Sequence, residues 1–275
     1  MTTPLRPLNL GELLDRSFFL YRKHFLLFVG IIGVPYLCLL AFQLVGVVIA
    51  PQTPGGSVLY FVWALGAIVL SLAAAAASHG ATVVAVSKVH LGGTISVSDA
   101  FAGIKGRILG LVGVMIGLGF GIGIGFMLLL IPGIILSLMW ALTIPVAVVE
   151  NRGLVDSVAR SSDLTKGSRG RVFVIYFLFA VLFYIVLMVC LLPLLYLLGS
   201  FVKDHGAGVV PIWYQAGAPV GTFLTECLVG PLMTIGLSLL YYDQRVRKEG
   251  FDLQHMMASL ESPQGPQSEA PAAAF

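Results

Sequence analysis

The amino-acid sequence predicts an all-α, polytopic membrane protein with six transmembrane helices, and three observations lead to this fold class. Apolar residues make up 58% of the 275 residues and charged residues only 11%, whereas a soluble domain carries about 25% charged residues. The apolar residues are gathered in six long runs. The Lys and Arg residues are distributed unevenly between these runs, in the pattern that orients membrane proteins.

Five of the six runs are long enough outright to cross a bilayer, for which a helix needs about 20 residues. We expect spans at residues 25–50, 58–87, 108–130, 132–149, 172–199 and 213–240. The fourth run is marginal, because its 18 residues reach only ~27 Å at about 1.5 Å each. We expect this span to be thinned, kinked or re-entrant.

Prolines interrupt four of the runs, and each removes a backbone donor and predicts a kink. They are Pro35, Pro145, Pro193 and Pro231. Since Gly230 precedes Pro231, the sixth span is the one in which we expect a break. A broken helix can form a transporter site, and a plain structural kink is the alternative.

The basic residues predict the topology. With six alternating spans, 15 of the 16 Lys and Arg residues fall on one side, and Lys203 is the exception. Basic loops are retained in the cytoplasm, so both termini are expected there. The first run is too long for the core of a cleavable signal peptide, and we expect it to remain as the first span.

The chain divides into a cytoplasmic amphipathic segment at residues 1–24, a six-span membrane domain at 25–254 and a disordered tail at 255–275. Asn9 and Glu12 have the spacing of a capping box. They predict the start of an amphipathic helix that lies in the membrane interface. The tail is rich in proline and small polar residues, which disfavour a packed structure.

A polar segment that can form a surface helix precedes each pair of spans. The second such segment runs from Ser96 to Arg107 and the third from Leu154 to Leu164. An offset of 83 positions aligns Phe18 with Phe101. We interpret the chain as three units, each a surface helix followed by a two-span hairpin. Coincidental similarity between apolar segments is the alternative.

Small residues at four-residue spacing predict a helix-packing face. They are Gly113, Gly117, Gly121 and Gly125 in the third span. The second span has Ala73, Ala77, Ala81 and Ala85 at the same spacing. Small residues let two backbones approach closely in lipid, so we expect these two faces to pack together. A flexible gating helix is the functional alternative.

Glu226 is the one carboxylate well inside a predicted span. A charge there costs roughly 2.5 kcal/mol or more unless it is neutralised, paired or hydrated. Glu226 is therefore an intramembrane candidate, either as a protonated, hydrogen-bonded acid or as part of a proton-coupled site with His79. Their depths place the two side chains ~12 Å apart, which argues against direct pairing.

Motifs of catalysis, cofactor binding and metal binding are missing from the sequence. There is no Gly-x-Ser-x-Gly elbow, His-Glu-x-x-His pair or phosphate-binding loop. Cys38, Cys190 and Cys227 lie in predicted spans without the spacing of a metal site. We therefore expect no catalytic residue, cofactor, metal or nucleic-acid partner.

Charged and polar residues gather at the predicted cytoplasmic edge of the spans. They are Glu12, Asp15, Arg16, Glu150, Asp156, Arg160, Tyr242, Asp243, Arg245, Arg247 and Glu249. Their mixed signs permit ion pairs between surface helices and span ends, and the basic excess favours anionic phospholipid headgroups by about 1 kcal/mol per residue. Orientation and anchoring are one interpretation, and a specific lipid or protein-partner site is the other.

Three segments resemble the membrane domain found with bacterial glycerophosphoryl diester phosphodiesterases and related uncharacterised bacterial multi-span proteins. They are RPLNLGELLDRSFFLYRKHF (6–25), VVENRGLVDSVARSSDLTKG (148–167) and YYDQRVRKEGFDLQ (241–254). The positions that match recurring family positions are Glu150, Arg160, Ser161, Tyr242, Asp243, Arg245, Arg247 and Glu249. The resemblance implies a six-span helical domain in a bacterial cell (inner) membrane.

A phosphodiesterase barrel would need ~250 further residues, and we therefore expect no hydrolase activity from this chain. The first functional hypothesis is a non-catalytic scaffold or accessory protein with a lipid or partner site at the cytoplasmic edge. The second is a transporter or lipid-translocating protein that uses Glu226 and a broken sixth span. An intramembrane enzyme is the third and has the least support.

Overall fold

The structure is a computed structural model that describes residues 8–49, 56–205 and 211–250. The regular secondary structure of these residues is entirely α-helical, as predicted. It consists of α1 (Leu10–Lys23), α2 (Phe25–Ile49), α3 (Gly56–His90), α4 (Val97–Ala102), α5 (Ile108–Leu128), α6 (Leu130–Met139), α7 (Thr143–Val149), α8 (Leu154–Thr165), α9 (Arg169–His205) and α10 (Ile212–Glu249). The tail predicted to be disordered, 255–275, lies outside the described residues.

Within the described residues, six segments are long and apolar enough to cross a membrane, which confirms the predicted number. They are Phe25–Val48, Phe61–His90, Ile108–Leu128, Leu130–Val149, Arg169–Asp204 and Ile212–Glu249. Consecutive spans pack against each other as α2 with α3, α5 with α6, and α9 with α10. A shorter helix precedes each of these pairs, so the order of elements follows the predicted helix-plus-hairpin arrangement.

We call the half of the bundle that contains the N-terminus of α2 and the C-terminus of α10 the basic end, and the other half the far end. The packed core lies toward the basic end, where nearly every residue of α10 from Val229 to Val246 is buried. α10 contacts α1, α2, α3, α7, α8 and α9. Toward the far end large apolar side chains such as Met127 and Tyr196 are exposed, as expected of surface that faces lipid.

The first helix packs along the bundle. Its buried residues Leu13, Ser17, Leu20 and Tyr21 form one face. The N–H of Leu8 bonds to Asp243, and the hydroxyl of Tyr21 donates to the carbonyl of Leu228 at 2.8 Å. These two α10 residues are about 22 Å apart at 1.5 Å per residue. α1 is amphipathic as predicted, and its buried face packs lengthwise on α10.

The fourth span is broken between α6 and α7. Ser161 of α8 closes the break, because its Oγ accepts from the N–H of Leu142 at 3.1 Å and donates to the carbonyl of Met139 at 2.8 Å. Thr165 Oγ1 donates to the same carbonyl at 3.1 Å. Irregular backbone within a span is tolerated where side chains satisfy the freed groups. The hydroxyls of α8 therefore hold this marginal span in its broken form.

The predicted break in the sixth span is wrong. α10 is one continuous helix through Gly230 and Pro231. α2 and α9 likewise continue through Pro35 and Pro193. A proline removes one backbone hydrogen bond, and neighbouring helices and local adjustment can satisfy the freed group in a membrane helix. Pro145 lies in the first turn of α7, where its missing N–H has no helical partner to lose.

The glycine face of α5 packs closely, but its partner is not the alanine face of α3. A Cβ at Gly121 would meet the ring of Trp140, and one at Gly125 would lie 3.1 Å from the Cα of Gly133 in α6. A Cβ at Gly117 would meet Leu154 of α8, whereas none would meet an atom within 4 Å at Gly113. The expected pairing is wrong because side chains and backbone of α6 and α8 cover this face instead.

Where α3 approaches α5, the close contact is made by a different glycine. A Cβ at Gly80 would lie 2.8 Å from the Cδ1 of Leu111. Ala81 and Ala85 are fully buried, but Ala73 lines an apolar groove between α2 and α3. The four alanines therefore do not act as one packing face.

Candidate functional site at the basic end

Two clusters of charged side chains lie at the basic end of α10. We call the first the Asp243 cluster, which consists of Asp243, Arg171, Arg247 and the backbone of Leu8. The second is the Glu150 cluster, which consists of Glu150, Arg160, Tyr241, Arg245 and Glu249. Together they join α10 to the chain before α1, to the loop after α7, and to α8 and α9.

Asp243 is the centre of the first cluster, and its side chain is 0% exposed. Its Oδ2 accepts from Arg171 Nη1 and from Arg247 Nε, each at 2.9 Å. Arg247 reaches Asp243 because four residues along a helix share one face. Arg171 approaches from the first turn of α9. A buried carboxylate flanked by two guanidinium groups and a backbone N–H is fully hydrogen-bonded, which is the condition for burying a charge.

The same two arginines also hold the chain that precedes α1. Arg171 Nη2 and Arg247 Nη2 donate to the carbonyl of Leu8 at 2.8 and 2.7 Å. The N–H of Leu8 donates to Asp243 Oδ1 at 2.7 Å. Both sides of the Leu8 backbone are therefore bound by side chains more than 160 positions away. This contact uses backbone groups, which any amino acid at position 8 except proline would present.

The Glu150 cluster joins α8 to α10. Arg160 pairs with Glu249 and, through Nε at 3.3 Å, with Glu150 Oε1. The Tyr241 hydroxyl donates to the same Glu150 oxygen at 3.0 Å. Arg245 Nε pairs with Glu249 at 3.1 Å, one turn away. Burial alone would lower the pKa of Arg160, but hydrogen bonds to and attraction by Glu249 and Glu150 raise it above the ordinary value. Arg160 therefore stays charged.

Tyr242 belongs to neither cluster and faces α3. Its hydroxyl donates to Ser87 Oγ at 2.8 Å, and its ring stacks on His90 with centroids 5.3 Å apart. Arg16 of α1 lies close enough to His90 to interact with it electrostatically, and partial burial lowers the pKa of Arg16.

The remaining predicted edge residues have local roles or face outward. Glu12 accepts from the N–H of Asn9 at 2.9 Å and so completes the predicted capping box of α1. Asp15 and Asp156 are exposed and lie outside both clusters. The structure thus brings together Glu150, Arg160, Arg245 and Glu249 in one group, and Asp243 and Arg247 in another.

Exposed charges at the basic end are mainly positive. The exposed basic residues in the described ranges at this end are Arg22, Lys23, Lys88, Lys105, Arg107, Arg152, Lys166, Arg169, Arg247 and Lys248. The exposed acidic ones are Asp15, Asp99, Asp156 and Asp163. The exposed surface of this end therefore carries ten cations against four acids, and one of the ten, Arg247, also belongs to the Asp243 cluster.

Glu226 lies away from this end, half-buried on α10. It is close enough to Tyr36 of α2 to interact electrostatically. Within the described residues its carboxylate has no hydrogen-bond partner. His79 Nδ1 is instead 2.6 Å from Thr234 Oγ1, eight positions further along α10 than Glu226. The structure therefore does not bring His79 and Glu226 together.

An apolar groove of about 580 Å³ lies between α2 and α3. It is lined by Phe42, Val62, Leu65, Gly66, Val69, Leu70 and Ala73. Glu226 is not among these lining residues. In residues 8–49, 56–205 and 211–250, no three His, Cys, Asp or Glu side chains are grouped as a metal site.

Residues 112–247 match the model of one protein family, described as the membrane domain of glycerophosphoryl diester phosphodiesterase. The predicted family resemblance is confirmed. The match to this membrane domain covers about half of the chain, from the third span to the end of the sixth. No curated protein and no solved structure gives a significant match.

The membrane-domain match contains nearly all of both clusters. Only the Leu8 backbone and Glu249 lie outside the matched range. Of the three segments that carried the predicted resemblance, 148–167 lies wholly within the match and 241–254 lies within it as far as residue 247. The segment 6–25 lies outside. Its connection to the matched domain is seen in the structure, where Leu8 binds the Asp243 cluster.

Sequence reasoning missed Leu8, Arg171, Tyr241 and Ser87 as members of these contacts. Leu8 carried no signal, because its contribution comes from backbone groups. Arg171 is one of five basic residues in one loop, and nothing in the sequence distinguishes it from its neighbours. Tyr241 stands beside Tyr242 in the quoted motif, and consecutive residues on a helix point in different directions.

Proposed function

We propose that this chain is a non-catalytic scaffold or accessory protein of a bacterial cytoplasmic membrane, with both termini in the cytoplasm. Its basic end would contact anionic phospholipid headgroups. The observation that carries this proposal is the excess of exposed cations over exposed acids at one end of a bundle whose far half is apolar. Each basic residue near an anionic surface contributes about 1 kcal/mol.

The charge distribution also supports the proposed orientation. At the far end, the exposed charges in the described residues are Lys203 and Asp204, which balance each other. Basic residues are concentrated on the cytoplasmic side of membrane proteins. The absence of hydrolase activity stays part of the proposal, because the matching family domain is the membrane part of an enzyme family.

The residues that test this proposal are the exposed cations outside the two clusters. Arg245 and Arg247 are held by Glu249 and Asp243, so charge reversal there would test folding before binding. Lys105 and Arg107, in the turn before α5, are exposed. A double Lys105→Gln and Arg107→Gln variant removes surface charge without touching either cluster.

The experiment compares the protein in nanodiscs that contain phosphatidylcholine and increasing amounts of phosphatidylglycerol. Native mass spectrometry counts the phosphatidylglycerol molecules that stay bound to each chain. We expect the double variant to retain fewer than the parent and Lys203→Gln, at the far end, to retain the same number. Equal retention by all three proteins would refute headgroup binding at the basic end.

The transport hypothesis relied on two features, a broken sixth span and Glu226, and the structure lacks the first of them. The continuous α10 contradicts the broken sixth span on which that hypothesis relied. Glu226 remains half-buried beside Tyr36, and a lone carboxyl group does not define a substrate path. We therefore do not propose a transport function.

A further inference from the structure

We propose that Arg171 and Arg247 form a phosphate-binding site that the backbone of Leu8 occupies. The ligand class is a singly charged phosphate that carries a hydroxyl donor. This inference deepens the proposed function and rests on it, but it concerns a different group of residues from the exposed cations tested above.

The geometry of the site is that of an anion site with a neutral occupant. Two guanidinium groups, from different helices, converge on one carbonyl oxygen, that of Leu8, at 2.8 and 2.7 Å. Arginine forks are the usual ligands of carboxylate and phosphate oxygens, because their donors match two acceptor oxygens at once. A backbone carbonyl supplies the acceptor here but no charge.

The charges of the site are not balanced. Arg171 and Arg247 contribute two positive charges and Asp243 one negative charge, while the Leu8 backbone is neutral. One positive charge is therefore left over in a place where Asp243 is fully buried. A singly charged anion at the position of the Leu8 carbonyl would neutralise it, and such a charge-assisted hydrogen bond is roughly twice as strong as a neutral one.

The second contact of Leu8 specifies the ligand further. Asp243 Oδ1 accepts the Leu8 N–H at 2.7 Å, so an occupant that displaces Leu8 must bring a donor. A phosphodiester headgroup with a hydroxyl, or free H₂PO₄⁻, provides an anionic acceptor and an O–H donor. The site can be reached from outside, since the side chains of Arg171 and Arg247 are 26% and 34% exposed.

The test deletes residues 2–9, because a deletion that ended at Leu8 would place the backbone groups of Met1 at the same position, and it measures binding in nanodiscs as above. Deletion removes Arg6, a cation, so general electrostatic attraction would fall. We nevertheless expect one additional phosphatidylglycerol per chain and an apparent affinity about tenfold higher, which corresponds to an open fraction of about one-tenth in the intact chain. Arg171→Gln in the deleted chain should abolish the gain.

The source of the phosphate is decided with two probes. Inorganic phosphate is titrated into the deleted chain in nanodiscs of phosphatidylcholine alone, and phosphatidylglycerol is titrated separately. A gain with both probes identifies the phosphate group as the recognised element. A gain with phosphatidylglycerol alone identifies the lipid headgroup as the ligand.

A second measurement uses the intact chain, in case the deleted chain fails to fold. Hydrogen exchange of the Leu8 amide reports whether Leu8 is bound to Asp243. We expect its protection to fall about tenfold as phosphatidylglycerol rises, and to stay constant in phosphatidylcholine. Constant protection in both lipids, or a folded deleted chain that binds no more lipid, would overturn the inference. Lys105→Gln with Arg107→Gln tests the proposed function separately, because it leaves Leu8 in place.

Discussion

The two longest helices, α9 and α10, have nearly the same length and opposite environments. α9 is the more apolar of the two, yet only 17% of its most apolar 18-residue window is buried, against 67% for α10. In water the more apolar helix would be the one buried. In lipid, apolar side chains lose nothing by exposure, and burial follows small size and hydrogen-bonding capacity.

Small and polar residues distinguish the buried helix α10 from the exposed helix α9. α10 is rich in small residues at its contacts, and a Cβ at Gly236 would lie 2.8 Å from the Cε2 of Phe179 in α9. It also contributes buried polar groups, such as Thr234 and Asp243, which find partners on other helices. α9 presents exposed Leu, Val and aromatic side chains along most of its length. α10 is therefore the structural centre, and α9 is part of the lipid-facing boundary.

The largest expected difference between α9 and α10 is in the stability lost when an aspartate of each helix is replaced by asparagine. Asp243→Asn removes the charge that holds Arg171 and Arg247, and breaking a buried ion pair costs about 3–5 kcal/mol. We expect about 3 kcal/mol, because both arginines are partly exposed. Asp204→Asn on α9, an exposed position, should change stability by less than about 0.5 kcal/mol. Chemical denaturation in detergent measures both values, and equal stability of the two variants would contradict the central role of Asp243.

A second difference concerns glycine. Gly236→Leu should destabilise the protein by about 1–3 kcal/mol, because the new side chain would overlap Phe179 in a packed interface. At Gly199 of α9, a Cβ would meet no atom within 4 Å, so Gly199→Leu should be tolerated. Abundance in the membrane and thermal unfolding distinguish the two variants. A loss at Gly199 that matched the loss at Gly236 would show that α9 has a packing partner on its lipid side.

A third difference concerns hydroxyl groups. Thr234→Val deprives His79 of its hydrogen bond at 2.6 Å, and we expect a loss of about 1 kcal/mol, since hydrogen bonds inside membrane proteins contribute little more than this. Ser200 on α9 is exposed and donates to the carbonyl of Leu197 in its own helix. Ser200→Ala should be close to neutral in the same unfolding measurement. If Thr234→Val were neutral as well, the buried polar contacts of α10 would not stabilise the fold.

The smallest expected effect is on stability and concerns two glycines of α5. Replacing each by alanine should change the stability in opposite directions. Gly113→Ala, where nothing lies within 4 Å, should stabilise the protein by about 0.4–1 kcal/mol through the lower entropy of the unfolded chain. Gly125→Ala should destabilise it, because its Cβ would lie 3.1 Å from backbone atoms of α6. Thermal unfolding of the two alanine variants should shift in opposite directions, and shifts of the same sign would mean that lipid-facing and buried glycines of α5 are equivalent.

Much of the architecture could be predicted from local sequence. The six spans and the capping box at Asn9 and Glu12 depend on residues that are close together in the chain. The choice of contacts between helices could not be predicted in this way. Gly125 packs on α6 instead of on the alanines of α3. A four-residue spacing identifies a helix face but not the element that packs against it.

The candidate site was also predictable only in part from the sequence. Asp243, Arg245, Arg247 and Glu249 were recognisable because they follow an apolar run in a charged motif. Their division into two clusters was not recognisable, since it depends on which side of α10 each residue faces and which helix lies there. The Leu8 contact was beyond sequence reasoning altogether, because it is made by main-chain atoms.

The sequence by itself determined that lipid surrounds six helical spans, since apolar run length and the placement of basic residues are properties of the chain alone. Only the tertiary structure decided which helix occupies the centre and which charges are paired. The physical reason is that lipid removes hydrophobicity as a guide to burial. What then distinguishes α10 from α9 is shape and hydrogen-bond partnership, and both depend on neighbours that are distant in sequence.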